Sequence, residues 1–487
     1  NAPWLEGRKI VMLEPRRMAA RAAARRMATL HNSPLGEIFG YHVRFDRRTG
    51  PRTRVEVLTE GLLTRRLQND PFLEDVGIVI FDEFHERSIH ADLALALTRE
   101  VQATVRPNLR LLIMSATIAG ETLGSALGDV PVIETAGFLH PVTILHLERP
   151  SQLYLPQRTA QAVERFLRAE EHNGDILVFL PGEGEIYRTM ELLQAVPAAR
   201  TCTILPLHGS LAPEQQDRAL QPLPGRKIIL ATNIAETSLT IEGVTIVIDS
   251  GYSRRIRLDP TIGLERLELE RISLANAAQR AGRAGRLQSG TVLRLWTKEE
   301  ETLMAPEIPP EILRLDLTPL VLELAAWGKP DPSTCLWLTS PPQGAVLSAQ
   351  ELLKRLEAFD EKGTITPLGR QMAEIPAHPR LARILLEAAR TGLAREGADL
   401  AALLSERDLL SPSHRRQVPV GKSDLLHRLD LLKNARDRQF RGGSEEADSR
   451  TARSIARLAE QFLELTRSLG KTSVRKILAF IDGGRYF

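Results

Sequence analysis

Four short apolar runs in the first third of the chain each stop at a polar cluster, and this pattern narrows the possible folds sharply. Ile10–Leu13 ends in Glu14-Pro15-Arg16-Arg17, Val55–Leu58 in Thr59-Glu60-Gly61, Ile78–Phe81 in Asp82-Glu83, and Leu109–Met114 in Ser115-Ala116-Thr117. Val/Ile/Leu runs of this length, separated by helical stretches, predict a parallel α/β sheet covered on both faces. Ligands of such sheets bind at the carboxyl ends of the strands, so all four clusters fall on the edge where chemistry is done. A fifth run, Val142–Leu147, is expected to belong to the same sheet.

Asp82 and Glu83 are the sharpest of these strand ends. Two adjacent carboxylates at the end of a buried strand are costly unless they face a cation or a cleft. One can hold Mg²⁺, directly or through water, while its neighbour polarises a water molecule. Behind Pro15 a helix carries Arg17, Arg21 and Arg25 on one face, four residues apart. That stripe suits nucleic-acid phosphates, and a solvated helix face would read the same way.

The alternation restarts after Pro150. A helix over about Leu155–Glu171 precedes strands at Ile176–Leu180, Thr203–Leu207, Ile228–Ala231, Val244–Ile248 and Val292–Trp296, giving a second α/β domain across a linker at Leu147–Pro156. Two such domains leave a cleft between them for a ligand that couples their motion. The stretch Thr232–Thr240 leaves one of these strands with hydroxyls suited to phosphate or ribose, although such loops also serve as plain turns. Gln279-Arg280-Ala281-Gly282-Arg283-Ala284-Gly285-Arg286 is more specific. On a helix Gln279, Arg283 and Arg286 share a face, while each glycine costs about 1 kcal/mol relative to alanine. The glycines make sense where something approaches the backbone closely. Two arginines and an amide aimed across a cleft can stabilise charge on a γ-phosphate and orient the attacking water.

Past Lys298, Leu/Ala-rich helices take over. An amphipathic helix at Leu347–Phe359, a short turn at Lys362–Gly369 and a further helix fit a small winged-helix fold. A helical bundle begins at His378, and Ser449–Leu469 reads as one more amphipathic helix. The expected division is 1–148, 149–301, 302–372, 373–470 and 471–487. Cys202 and Cys335 match no metal or disulfide spacing. Aromatic residues make up only 5%, which argues against a surface built of base-stacking platforms. A net charge of +3 leaves any polyanion binding to local clusters. No apolar run approaches the ~20 residues of a membrane span. The chain reads as cytosolic.

Taken in order, E-P-R-R at Glu14–Arg17, G-Y-H-V-R-F-D at Gly40–Asp46, T-E-G at Thr59–Gly61, D-E-F-H at Asp82–His85, S-A-T at Ser115–Thr117, L-H-G-S-L at Leu207–Leu211, Thr232–Thr240 and Q-R-A-G-R-A-G-R at Gln279–Arg286 resemble the DEAH-box helicases of superfamily 2, most closely their bacterial HrpB-type branch. The resemblance implies two RecA-like parallel-sheet domains followed by a winged-helix and a helical-bundle region. It implies ATP and Mg²⁺ as cofactors, with single-stranded or partly duplex nucleic acid as partner, RNA before DNA. Asp82 would hold Mg²⁺ through water, Glu83 would polarise the attacking water, and His85 would link the nucleotide site to the second domain. Gln279 would help position the water, with Arg283 and Arg286 on the phosphates. Ser115 and Thr117 would couple hydrolysis to domain movement, and Arg16, Arg17, Thr59, Gly61 and Thr232 would touch the nucleic-acid backbone. Arg254–Leu269 resembles the family's strand-separating hairpin, and a buried strand would fit its alternating leucines equally well.

Three departures stand out. Phe84 replaces the alanine of D-E-A-H and is expected to pack against the sheet. The family's C-terminal region is incomplete. No G-x-x-x-x-G-K-[ST] occurs anywhere: Gly421-Lys422-Ser423 lacks the preceding strand and glycine. The phosphate cradle needs helix N-terminal amides and a lysine, so the chain is expected to be a helicase fragment that hydrolyses ATP poorly on its own. The alternative is a nucleic-acid-binding scaffold with a dead motor.

Overall fold

The computed structural model describes residues 3–44, 46–116, 120–128, 130–135, 137, 140–169, 174–236, 241–259, 263–406, 408–410, 423–440 and 447–482, with side-chain surroundings for all of these but 120–122, 259, 450 and 468–482. It forms two compact units, residues 1–316 with 333–342, and residues 317–332 with 343–487.

The first unit holds two six-stranded sheets. One is built from β1 (Lys9–Glu14), β2 (Phe39–Val43), β3 (Asp46–Arg48), β4 (Val55–Thr59), β5 (Val76–Phe81) and β6 (Arg110–Ile113), in the order β3-β2-β4-β1-β5-β6. All neighbours are parallel except β2 and β3. Val11, Leu13, Val57, Leu58, Val79 and Phe81 are buried, as expected of strands covered by helices on both faces. Register does the positioning. Glu14 lies opposite Thr59, and Leu13 opposite Phe81, so the E-P-R-R, T-E-G and D-E-F-H segments leave the sheet side by side. β6 ends the sheet, pairing only with β5 among the described residues, and its Leu112 is 41% exposed.

The second sheet contains β7 (Val142–His146), β8 (Asp175–Phe179), β9 (Thr203–Leu207), β10 (Lys227–Ala231) and β11 (Val244–Asp249). A hairpin of β12 (Tyr252–Asp259) and β13 (Leu264–Arg271) follows, and then the last sheet strand, β14 (Gly290–Arg294). The order is β7-β14-β11-β8-β10-β9, all parallel. This corrects one expectation. The strand at Val142 belongs to the second sheet, where Val142–His146 pairs with Gly290–Arg294. An apolar run carries no address, and what holds this one is the turn beside it: the His140 amide donates to the Gly285 carbonyl at 2.9 Å. The hairpin is a free-standing antiparallel pair, not a buried strand, with Leu267 and Leu269 exposed and Leu264 buried beside the connecting turn.

Between the sheets runs the helix Arg17–Leu30. Its Met18 joins the core cluster of the second sheet with Leu205, Leu207 and Ala235. Arg21 donates to Gln216 at 3.3 Å and Arg25 pairs with Asp217 at 2.5 Å. Two of the three stripe arginines therefore face protein in the second lobe, a third outcome beside phosphate and solvent.

The second unit is helical: Thr318–Trp327, Gln343–Arg355, Pro367–Glu374, Pro379–Arg390, Ala394–Ser405, Asp424–Asp437 and Ser449–Asp482. The expected Leu347–Phe359 helix stops at Arg355, because Glu357 takes a positive φ of 59° and Phe359 turns to bridge Ile365. Asp360 caps that turn through the amides of Lys362 and Thr364. Buried Asp399 pairs with Arg436 at 2.5 Å, tying two helices together. The final helix continues past Leu469 to Asp482 without starting a new element. Residues 411–422, which include Gly421-Lys422, and 441–446 lie outside the described residues.

Candidate functional site

After Phe81 the chain stays in register for one residue, as the Asp82 amide donates to the Leu13 carbonyl at 3.1 Å. It then turns hard. Glu83 (φ 49°) and Arg87 (φ 46°) are both left-handed, flanking a single helical turn at Phe84–Glu86. Such backbone costs of order 1–3 kcal/mol per residue and clusters at functional sites. Phe84 holds the turn down: it is buried, meets Phe81 edge-on at 6.1 Å and lies beneath the Arg87 guanidinium at 5.6 Å.

The acidic pair is tightly organised. Asp82 Oδ1 accepts the Glu83 amide at 2.8 Å. Burial pushes the Asp82 carboxyl above its ordinary value, and the Glu83 charge adds to the rise. The Glu83 amide and the Glu14 side chain pull it back. Glu14, 2% exposed at the end of β1, is a third carboxylate here that sequence reading passed over, although it opens the E-P-R-R motif. His85 Nε2 stands 3.4 Å from Glu83 Oε2, and its Nδ1 accepts from the Ala116 amide at 3.4 Å. His85 thus ties Glu83 to the S-A-T loop, next to Ser115. Thr117 lies outside the described residues.

Across the cleft, the helix Leu274–Gly282 starts at Ser273, whose hydroxyl accepts the Asn276 amide. It ends earlier than expected. Gln279 is on the helix, but Arg283 is its cap and Arg286 lies in the turn beyond. Arg283 donates to the Glu236 carbonyl. Burial lowers its pKa to about 9, and the neighbouring Arg286 adds to the fall, while Glu83 and Glu236 oppose it. Burial also lowers Arg286, again opposed by Glu83. Both guanidiniums therefore feel Glu83 from the opposite lobe. The glycines divide. A Cβ on Gly285 would lie 2.6 Å from Val142 Cγ2 and 2.7 Å from the His140 carbonyl, so the chain's own β7 requires it; at Gly282 nothing stands within 4 Å.

Arg280, which sequence reading left unused, is 1% exposed and holds this wall together. It donates to Glu236 Oε2 at 3.0 Å and Asp249 Oδ1 at 2.8 Å, and stacks over Phe179 at 4.9 Å. Burial opposes its charge, but Asp249 and Glu236 outweigh that and raise its pKa.

The residues expected on nucleic acid fall into two groups. Arg16, Arg17 and Thr232 line one cavity of about 340 Å³, together with Gly209, Gln216 and Asn233. Arg16 also pairs with Glu86 at 3.0 Å and donates to the Asn233 carbonyl, bridging the lobes. Thr237–Thr240 lie outside the described residues. Thr59 and Gly61 sit apart from that cavity, at the start of the helix Glu60–Asn69. Arg44, not singled out from the sequence, is a further cation on this side: burial lowers its pKa, and so do the charges of Arg65 and Arg17. Like charges gathered this closely suit a polyanion.

Carboxylates ending one parallel sheet and desolvated arginines facing them from another make a two-lobe α/β architecture with opposite charges across its cleft. The sequence comparisons agree with that class. Residues 158–288 match the helicase conserved C-terminal domain, 349–377 the winged-helix helicase associated domain (HA2), and 378–457 the ratchet-like HA2 domain. The chain is 45% identical over 406 residues to the ATP-dependent RNA helicase HrpB of Escherichia coli, an alignment spanning 83% of this chain and 50% of that protein. It is 35% identical to the pre-mRNA-splicing factor ATP-dependent RNA helicase prp22 of Schizosaccharomyces pombe, over 85% of this chain and 36% of that one. The crystal structure of the Escherichia coli DEAH/RHA helicase HrpB superposes with a TM-score of 0.77 at 42% identity, covering 90% of this chain and 56% of that one. The chain belongs to the DEAH-box helicases and is of the HrpB type. It spans half or less of the length of these curated relatives.

Proposed function

We propose that the protein is an ATP-dependent RNA helicase that acts in the cytoplasm, and that residues 1–316 carry most of its motor. The observation that carries this reading is the pair of desolvated arginines, Arg283 and Arg286, placed within electrostatic reach of Glu83. Buried guanidiniums aimed at an acidic strand end fit a polyphosphate, and the Asp82 carboxylate beside Glu83 fits a hard cation held through water. Bound ATP–Mg²⁺ supplies the phosphoanhydride whose hydrolysis drives the cycle. Asp82 would hold the metal through water, Glu83 would polarise the attacking water, and Gln279 would help to place it. Arg283 and Arg286 would counter the charge that develops on the phosphates. His85, between Glu83 and the S-A-T loop, passes the state of the site to Ser115 and Thr117. Arg16, Arg17, Thr59, Gly61 and Thr232 grip the nucleic-acid backbone, and Arg44 adds to that grip. The preference for RNA rests on the activity named for its relatives.

The rival reading, a scaffold with a dead motor, rests on the lack of any G-x-x-x-x-G-K-[ST] within these 487 residues. One experiment separates the two. The full-length protein is expected to show RNA-stimulated ATP hydrolysis that Glu83→Gln abolishes. Wild-type turnover in that variant would remove Glu83 from its role, and no turnover in the parent protein would favour the scaffold. The 487-residue chain alone is expected to bind single-stranded RNA with steep salt dependence and no measurable ATP turnover.

A further inference from the structure

One carboxylate outside every motif joins the D-E-F-H loop to the hairpin. Glu311 sits in a single helical turn, Glu311–Leu313, pinned by the fully buried Ile312. On one side it reads the end of the acidic loop. Its amide donates to the Arg87 carbonyl at 3.1 Å, and its Oε2 accepts the Ile89 amide at 3.1 Å. The Arg87 carbonyl points there because Arg87 is left-handed. Its guanidinium is locked on Asp92 at 2.9 Å and on Thr339 Oγ1 at 2.9 Å. On the other side Glu311 Oε1 accepts from Arg314 at 3.3 Å, and the second arm of Arg314 donates to the Ile256 carbonyl at 2.9 Å. Ile256 lies on β12, paired with Leu267 of β13. An unbroken line of hydrogen bonds therefore runs from the loop bearing Asp82, Glu83 and His85 to the exposed hairpin of the other lobe.

We propose that Glu311 and Arg314 form a relay that sets the hairpin's position according to the state of the D-E-F-H loop, making them positioning residues for strand separation. This rests on the helicase reading above. The geometry favours a relay over a simple brace at two points. The loop end of the line is strained and changes only in steps, because Arg87 has a left-handed well to keep or leave. The hairpin end is held through a backbone carbonyl, so a shift moves the strand itself rather than one side chain.

The test uses the full-length protein. Arg314→Met keeps the aliphatic stem and removes both bonds. It is expected to lower the unwinding rate by roughly tenfold while leaving RNA-stimulated ATP hydrolysis within about twofold. Arg314→Lys should recover part of the loss. Adding Glu311→Ala to Arg314→Met should cost no further unwinding, since both break one line. Equal loss of hydrolysis and unwinding, no loss of unwinding, or additive losses would each overturn the relay. Amide hydrogen exchange gives a readout that needs no unwinding. A non-hydrolysable ATP analogue should change exchange at residues 252–258 in the wild type and not in Arg314→Met. A protein that binds no nucleotide would sink the helicase reading. One that binds the analogue while wild-type hairpin exchange stays unchanged would sink the relay alone.

Discussion

The two sheets of the first unit differ in how their buried carboxylates are surrounded. In the second, Glu236 and Asp249 share one buried guanidinium, Arg280, with direct bonds to each. In the first, Asp82 lies against Glu83 and near Glu14, and Glu60 is met by a serine hydroxyl with Glu86, Asp92 and Glu311 around it. The second lobe ties these two acids to one arginine; the first gathers a larger number around a strained turn, where Arg87 pairs with Asp92 and Arg16 with Glu86. A closed network makes a rigid wall from which Arg283 and Arg286 project. An acidic corner with raised pKa values stores a cost that a bound cation can relieve. The division of labour is thus visible in the charge pairing itself: rigid presentation on one side, a loaded and responsive site on the other.

The comparison breaks first at Arg283. If the second lobe presents charge to the first, Arg283→Ala in the full-length protein should lower RNA-stimulated kcat by about 10³-fold or more, leaving RNA affinity near wild type. A loss of less than about tenfold would mean that the arginine serves only its bond to the Glu236 carbonyl. Arg280 gives the next largest effect, and in a different quantity. Arg280→Met leaves Glu236 and Asp249 buried without their partner, which should cost about 3–5 kcal/mol of stability. Denaturant unfolding should place that loss in the second lobe. A stability change below about 1 kcal/mol would show that the network relaxes and that the wall is not rigid.

Much of this architecture is legible in the sequence, because buried parallel strands announce themselves as apolar runs. Thr203–Leu207 spans the same residues in both readings, and the other expected strands shift by a residue or two at their ends, whereas Phe39–Val43 and Asp46–Arg48 are strands the sequence does not announce. What was not legible depends on pairing between distant segments. Val142–His146 reads as one more strand, but only its bonds to Gly290–Arg294 show which sheet it enters. Arg280 stands one residue from Gln279 in the same motif. Nothing local distinguishes a buried arginine from a projecting one until Asp249, 31 residues away, closes on it. Likewise Arg21 and Arg25 make a basic stripe in any helical projection, while their partners Gln216 and Asp217 are supplied by the other lobe. Glu311 belongs to no motif, and only the fold brings it between the loop and the hairpin.

Glu60 sharpens the contrast most finely, because it makes the first lobe's acid burden measurable without any ligand. Burial raises its pKa from 4.5 to about 8. The Ser88 hydroxyl bond opposes the rise, and the Glu86, Glu311 and Asp92 charges add to it. The folded protein therefore keeps a proton that the unfolded chain has released. Between about pH 4.5 and pH 8 the native state binds more protons than the unfolded one, so stability falls as pH rises across that window. It is fully present below the lower limit and lost through the upper one. The slope from this one group is at most about 1.4 kcal/mol per pH unit. Glu60→Gln mimics the protonated form and still accepts from Ser88. Thermal unfolding of the variant from pH 5 to pH 8 should follow a flatter profile than wild type, with the two nearest at pH 5 and the variant ahead at pH 8. Parallel profiles would place Glu60 among ordinary ionised carboxylates, and the first lobe's acid burden would then rest on Asp82 and Asp92.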